Sequence, residues 1–245
     1  DIDRAKGGGF VGFGLAINPD YEGSEDYEAT PAPFGAYHWA SGRYINLGGT
    51  SGSERAARLS FNALTNKTAW ELGPVLQFRM ERDSVDNNKV DKLNKIGSVA
   101  ETGAFVGWQG DHLGLSTTFV ADTVSSEHEG YLWYINGDYK YPVTDSFTLS
   151  VGAHLTWADE DYMDAYFGVS SGESAKSGLK RFSADSGFKD TGLSLTGHYK
   201  FNDAWGVAAN VSYTRMLNDA EDSPIVEDEG DKNQYGGVVA VTYSF

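Results

Sequence analysis

The sequence predicts an all-β protein, a transmembrane antiparallel up-and-down β-barrel of about 12 strands. Three observations carry this expectation. Stretches of about ten residues alternate apolar with polar or small side chains, the period of a strand whose successive side chains point to opposite faces. The apolar stripes begin or end in Trp, Tyr or Phe, as they do where a lipid-facing surface meets headgroups. Connections alternate between short polar turns and long acidic loops, which is how such barrels divide their periplasmic from their extracellular ends.

The segments follow in order. Residues 8–16 set Val11, Phe13 and Leu15 against glycines, and residues 32–39 end in Tyr37 and Trp39. Residues 43–49 and 57–63 carry the weakest alternation. Residues 70–81 place Trp70, Leu72, Leu76, Phe78 and Met80 on one face, with Pro74 among them. A proline cannot donate to a ladder, so an edge or bulge is expected there. Segments at 99–108, 112–121, 131–141 and 147–157 follow, the third with Tyr131, Trp133, Ile135, Tyr139 and Tyr141 on one face. Residues 193–201 and 205–214 repeat the design, and 233–245 close it with Tyr235, Val239, Val241, Tyr243 and Phe245 in one stripe. An even strand count returns both ends of the sheet to the periplasmic side. The barrel must close on itself, because an open edge in lipid leaves backbone groups unsatisfied.

Composition agrees. The 245 residues are read as one barrel domain, 1–245, with 40% hydrophobic residues and a mean hydropathy of -0.41. No apolar run approaches the ~18 residues of a helical span. Alternation dilutes the hydropathy of a barrel, so this does not exclude the membrane. Aromatics at 13% and 30 glycines against 6 prolines suit strands with interfacial girdles. Cysteine is absent, which excludes a disulfide framework, a thiol nucleophile and a thiolate metal site. The net charge of -16 excludes nucleic acid as a partner. Asp1 follows no initiator Met, and the expectation is a signal peptide removed on export.

By strand parity the lumen receives Arg58, Glu71, Arg79, Glu81, Glu101, Asp138, Lys140, His154, His198 and Lys200. Arg79 and Glu101 lie on adjacent strands, as do Arg58 and Glu71, and a buried charge needs a partner. The expectation is paired charges that plug the lumen; the alternative is a permeation path or a ligand site. Catalysis is not expected. Ser150 and His154 share a face, but four residues along a strand separate them by ~13 Å, beyond hydrogen-bond reach. The loops offer only His128 near a strand end. The acidic loop clusters lack the regular ligand spacing of a dedicated cation site, so no metal and no cofactor is expected. They are expected to be solvated, or bridged by divalent ions to lipopolysaccharide. Tyr166-Phe167-Gly168-Val169 is apolar inside a long loop and is expected to fold into the barrel mouth as a partial plug.

Phe245, Tyr243, Val241 and Val239 resemble the closing-strand signature of outer-membrane β-barrels, which makes Tyr243 and Phe245 interface residues and a signal for the barrel assembly machinery. Four further strings resemble the MipA/OmpV family: Pro19-Asp20-Tyr21-Glu22-Gly23-Ser24, Pro31-Ala32-Pro33, Tyr166-Phe167-Gly168-Val169 and Ser223-Pro224-Ile225-Val226. The first and last are the more specific, and Pro31, Pro33 and Pro224 are read as setting loop geometry. The resemblance implies a non-catalytic protein of the outer membrane, surrounded by lipid and lipopolysaccharide. It implies a scaffold that links a murein hydrolase, a lytic transglycosylase, to a murein synthase, a penicillin-binding protein. A small diffusion channel or ligand-binding barrel with a charged lumen is the competing reading.

Overall fold

In the computed structural model, which describes residues 7–50 and 52–245, the chain winds into one closed antiparallel barrel. Asp1, and the expectation attached to it, lies outside the described residues. The strands are β1 Gly8–Pro19, β2 Tyr27–His38, β3 Tyr44–Gly49, β4 Ala56–Asn62, β5 Trp70–Arg79 and β6 Val99–Gln109. They continue with β7 Leu113–Asp122, β8 Tyr131–Pro142, β9 Phe147–Ala158, β10 Gly187–Lys200, β11 Trp205–Met216 and β12 Asn233–Ser244. Each pairs with its sequence neighbour, and β12 closes on β1 from Phe10 opposite Ser244 to Ile17 opposite Gly237. Closure satisfies both edges, which is what lipid requires of a spanning sheet.

The outward stripe is apolar: Val11, Phe13, Leu15 and Ile17 on β1 and Val239 and Val241 on β12 are all exposed. Aromatic contacts ring both ends of this stripe. At the end of the short turns, Trp205 packs on Tyr243, Tyr37 on Phe245 and Trp39 on Phe61. At the end of the long loops, Tyr131 packs on Trp157 and Phe119, and Tyr213 on Tyr235. Among the described residues no helix is long and apolar enough to cross a membrane, and the crossing elements are strands.

Several boundaries differ from the sequence expectation for identifiable reasons. β2 begins at Tyr27, so Pro31 and Pro33 stand inside a strand and do not shape a loop. β10 begins at Gly187, six residues earlier than its apolar stripe, because a register shift between Phe188 and Asp190 turns the adjacent Lys189 and Asp190 both inward. At Pro74 the β4–β5 pairing stops at Ser60–Val75. The amide of Leu72 then donates to the Asn62 side chain at 3.1 Å, and Ala63 N to Leu72 O at 2.9 Å. The strand thus passes the missing donor.

The long loops carry short helices: α1 Glu160–Phe167 and α2 Ser171–Ser177 between β9 and β10, then α3 Asn218–Asp222 and α4 Pro224–Glu227 between β11 and β12. Asp159 caps α1, its carboxylate accepting from Tyr162 N at 3.1 Å and Tyr131 N at 2.9 Å. Ser170 and Glu173 form a reciprocal capping box on α2, and Gly178, at φ 81°, ends it. Tyr162, Met163, Tyr166 and Phe167 of α1 pack with Val120, Leu132 and Tyr134 of the wall and with Val226 of α4. The core therefore fills the loop end of the lumen.

Candidate functional site: a buried charge cluster under the loop cap

Arg79 ends β5 with its side chain inward and only 2% exposed. Its Nε and Nη2 lie 3.2 and 3.1 Å from Glu101 Oε1, and its Nη1 lies 3.0 Å from Glu22 Oε1 in the loop after β1. The guanidinium sits over the rings of Tyr162 and Tyr166, at 4.9 and 5.5 Å. Glu101 also accepts from Gln77 Nε2 at 2.6 Å and lies 3.1 Å from His128 Nε2. Glu22 accepts from the Tyr162 hydroxyl.

A second cation lies beside the first. Lys189 is fully buried, with Nζ 3.0 Å from Glu22 Oε2, 3.2 Å from Glu54 Oε1 and in contact with Asp190 Oδ2. Asp190 in turn faces His154, Nε2 to Oδ1 3.4 Å. Four carboxylates thus converge on two cations, and each group contributes to a network that low local dielectric strengthens when complete and penalises when broken. Burial pushes the Glu54 carboxyl up from the ordinary range, with Lys189 pulling it back. Burial likewise raises the hydroxyls of Tyr162 and Tyr166 well above the ordinary tyrosine value, so both stay neutral.

The residues singled out from the sequence divide. Arg79, Glu101 and His154 lie in or against this cluster. Arg58 and Glu71 face the lumen but do not meet each other. Arg58 Nε donates to Gln77 at 2.8 Å and its guanidinium covers Tyr134 at 4.4 Å, while Glu71 accepts from the Tyr44 hydroxyl at 2.9 Å. His198 lies apart, 3.1 Å from Thr242 Oγ1. In the first loop, Asp20 accepts from Asp86 N at 2.9 Å and Tyr21 donates to Glu229 O at 3.2 Å. Gly23 has φ 92°, and a Cβ there would come within 2.4 Å of Val226 Cγ2. Tyr166 and Phe167 are buried, and Ser223 Oγ donates to Phe167 O at 2.6 Å while Pro224 opens α4. Phe245 and Gly9 exchange two backbone hydrogen bonds of 2.9 Å at the seam, with Tyr243 beside them.

Sequence reasoning missed Glu22, Glu54, His128, Lys189 and Asp190 as members of the cluster. Glu54 and His128 lie in connections without a period to read, and the register shift hides Lys189 and Asp190. Glu22 sits within a string quoted from the sequence, and Tyr134 lies on the lumen face of β8, so both were findable. Among the described residues no three His, Asp or Glu side chains are arranged to hold a metal ion.

A closed barrel with an apolar aromatic-ringed belt and an ionic lumen filled at its loop end defines an outer-membrane β-barrel. The solved NanC porin shares this fold at a TM-score of 0.54, with 13% identity over 96% of this chain and 98% of that one. The chain matches the family described as MltA-interacting protein MipA over residues 11–245 and belongs to it. It is 32% identical to the MltA-interacting protein of Escherichia coli (strain K12) over 132 residues, 54% of this chain and 50% of that protein. It is 31% identical to outer membrane protein Omp26La of Vibrio anguillarum over 135 residues, 54% of this chain and 49% of that protein. The putative outer membrane protein YiaT of Escherichia coli (strain K12) is 26% identical over 60% of each chain. The matched region spans about half the length of the first of these relatives.

Proposed function

We propose that the protein is a non-catalytic scaffold of the outer membrane, sealed at its extracellular loop end, that holds a lytic transglycosylase beneath the barrel and brings it to a penicillin-binding protein. The observation that carries this reading is the cluster around Arg79 and Lys189, roofed by Tyr162, Met163 and Phe167, which fills the place where a channel would need water. The name of the Escherichia coli relative, MltA-interacting protein, supports a murein hydrolase as the partner.

The short-turn end must then supply the docking face. Each turn is small against the ~800 Å² a partner needs, so several must act together. Tyr141 near the end of β8, Val143 after it and Phe201 after β10 are exposed there and supply apolar contact. Purified protein in detergent is expected to retain a lytic transglycosylase in a pull-down, and to lose it when Val143 and Phe201 are both replaced by Asp. Failure to retain any murein hydrolase or synthase sinks the scaffold. Conductance steps in planar bilayers would defeat the sealed barrel separately.

A ligand-binding barrel is the second reading, favoured by a mid-lumen cavity of about 200 Å³ that Tyr44, Asn46, Arg58, Glu71 and Asn136 help line. Its walls are polar, and ordered solvent or a small polar solute fits them.

A further inference from the structure

β2 has twelve residues, yet it pairs with β3 only from Gly35 opposite Leu47 to His38 opposite Tyr44. From Tyr27 to Phe34 its second edge has no β3 partner among the described residues. The direction of that edge follows from alternation. Trp39 N donates to Arg43 O in the same register, so every second residue back along β2, including 33 and 31, turns its backbone toward β3. Those two positions are Pro33 and Pro31, which have no N–H. The prolines remove two donors that an unpaired edge would otherwise expose to hydrocarbon. The split is therefore written into the sequence.

The opposite jamb is bare as well. A Cβ at Gly48 would meet nothing within 4 Å, and one at Gly49 only Ala56 O at 4.0 Å. Above the split, Arg55 forms a lintel: its guanidinium lies 2.7 Å from Asp20 O and 2.8 Å from Glu28 Oε2 of β2. Below, the β2–β3 ladder resumes. Outward-facing Tyr27 and Tyr37 bracket the opening along β2, which places it within the apolar belt.

A cavity of about 990 Å³ passes through this window. It is lined by side chains of both faces of the wall: Pro33 and Met80 on the lipid side, and Ala32, Phe34, Asn210 and Ser212 on the lumen side. One cavity can touch both faces only where the wall is open. Its charged neighbours are already matched, Arg55 by Asp20 and Glu28, Arg79 by Glu22 and Glu101, and Glu54 by Lys189. An ionic headgroup entering here would be a buried charge without a partner. Uncharged polar side chains also line the cavity, among them Thr50, whose buried Oγ1 has no hydrogen-bond partner among the described residues, and these can meet an uncharged polar head.

We infer that this window is a lateral entrance through which a single-chain amphiphile with an uncharged, hydroxyl-rich head passes from the bilayer into the lumen. The roof of loop helices blocks the axial route at that end, so the wall is the way in.

The chain has no cysteine, so Ala32→Cys supplies a single thiol on the lumen side of the window. In proteoliposomes it is expected to react on the order of tenfold faster with N-dodecylmaleimide than with a sulfonated, membrane-impermeant maleimide, rates being normalised to a lipid-facing Val211→Cys. Adding Gly48→Trp, whose side chain enters open space, is expected to abolish the preference at Ala32→Cys and leave Val211→Cys unchanged. Dodecyl maltoside below its critical micelle concentration is expected to protect the thiol, and dodecyl sulfate is not. Equal rates with the two maleimides overturn the entrance whether or not the Gly48→Trp chain folds. An undiminished rate in a Gly48→Trp barrel that keeps its folded gel mobility does the same. Equal protection by the two detergents overturns the uncharged head.

Discussion

Arg79 and Glu22 meet inside the barrel, Nη1 to Oε1 3.0 Å, and so tie the wall strand β5 to the loop that follows β1. Because the same guanidinium also holds Glu101 of β6, one side chain couples two strands and a loop. The contacts join the first loop to the wall beneath the loop helices.

Replacing Arg79 by Met leaves two carboxylates buried with one cation fewer between them. The expected loss is about 3–5 kcal/mol of folding stability. Adding Glu101→Gln removes one of the stranded charges and should recover part of it. Urea unfolding in lipid vesicles, followed by tryptophan fluorescence, measures both; an Arg79→Met midpoint equal to the wild type would contradict the account.

Phe167 is fully buried beneath the loop helices, so Phe167→Cys should react slowly with a soluble maleimide. Ser223 caps Ile225 N at 3.2 Å and also binds Phe167 O. Ser223→Ala therefore removes two restraints, at about 0.5–2 kcal/mol for the cap. Labelling at residue 167 should accelerate accordingly, and fast, complete labelling without Ser223→Ala would refute the plug.

Glu173 accepts from Ser170 N and Asn94 N, each at 2.9 Å. Burial pushes its carboxyl up, but these hydrogen bonds outweigh burial and hold it below the ordinary 4.5. A depressed folded value means the stabilisation is complete above 4.5 and is lost as pH falls through the lower folded value. Proteolysis between α1 and β10 should rise as the medium is acidified past that point. Glu173→Gln should flatten the rise; an identical pH profile in the variant would rule the group out.

Phe245 stacks on Tyr37 and on Tyr243, both at 6.4 Å between ring centroids, at the seam where β12 meets β1. Phe245→Ala is expected to lower the yield of barrel in the outer-membrane fraction. The barrels that do insert should keep the loop end intact. A normal yield would show that the ring plays no part in assembly.

Twelve strands were legible because period-two alternation survives wherever one face meets lipid and the other does not. It failed at residues 187–192, where charged side chains mask a strand start, and at Pro31 and Pro33, which look like loop residues until an unpaired edge is considered. Parity put Arg79 and Glu101 on one face, and the register brought them together. It also put Arg58 and Glu71 on one face, but Arg58 stands opposite Gln77, six residues from Glu71 along β5, roughly 20 Å at strand rise. Height along a strand is invisible to parity. Glu22 and Lys189 reach the cluster from a loop and from a bulged strand start, where no period operates.

The roof over the lumen has a consequence for recognition from outside the cell. Tyr162, Phe167 and Ile225 turn into the barrel, and α1, α2 and α4 are held over them by the wall beneath. The outward surface is a mosaic of segments far apart in sequence, each held in place by the others. An antibody raised against the folded barrel would read that mosaic; one raised against a free peptide of residues 157–190 would meet a chain with nothing beneath it to give it shape.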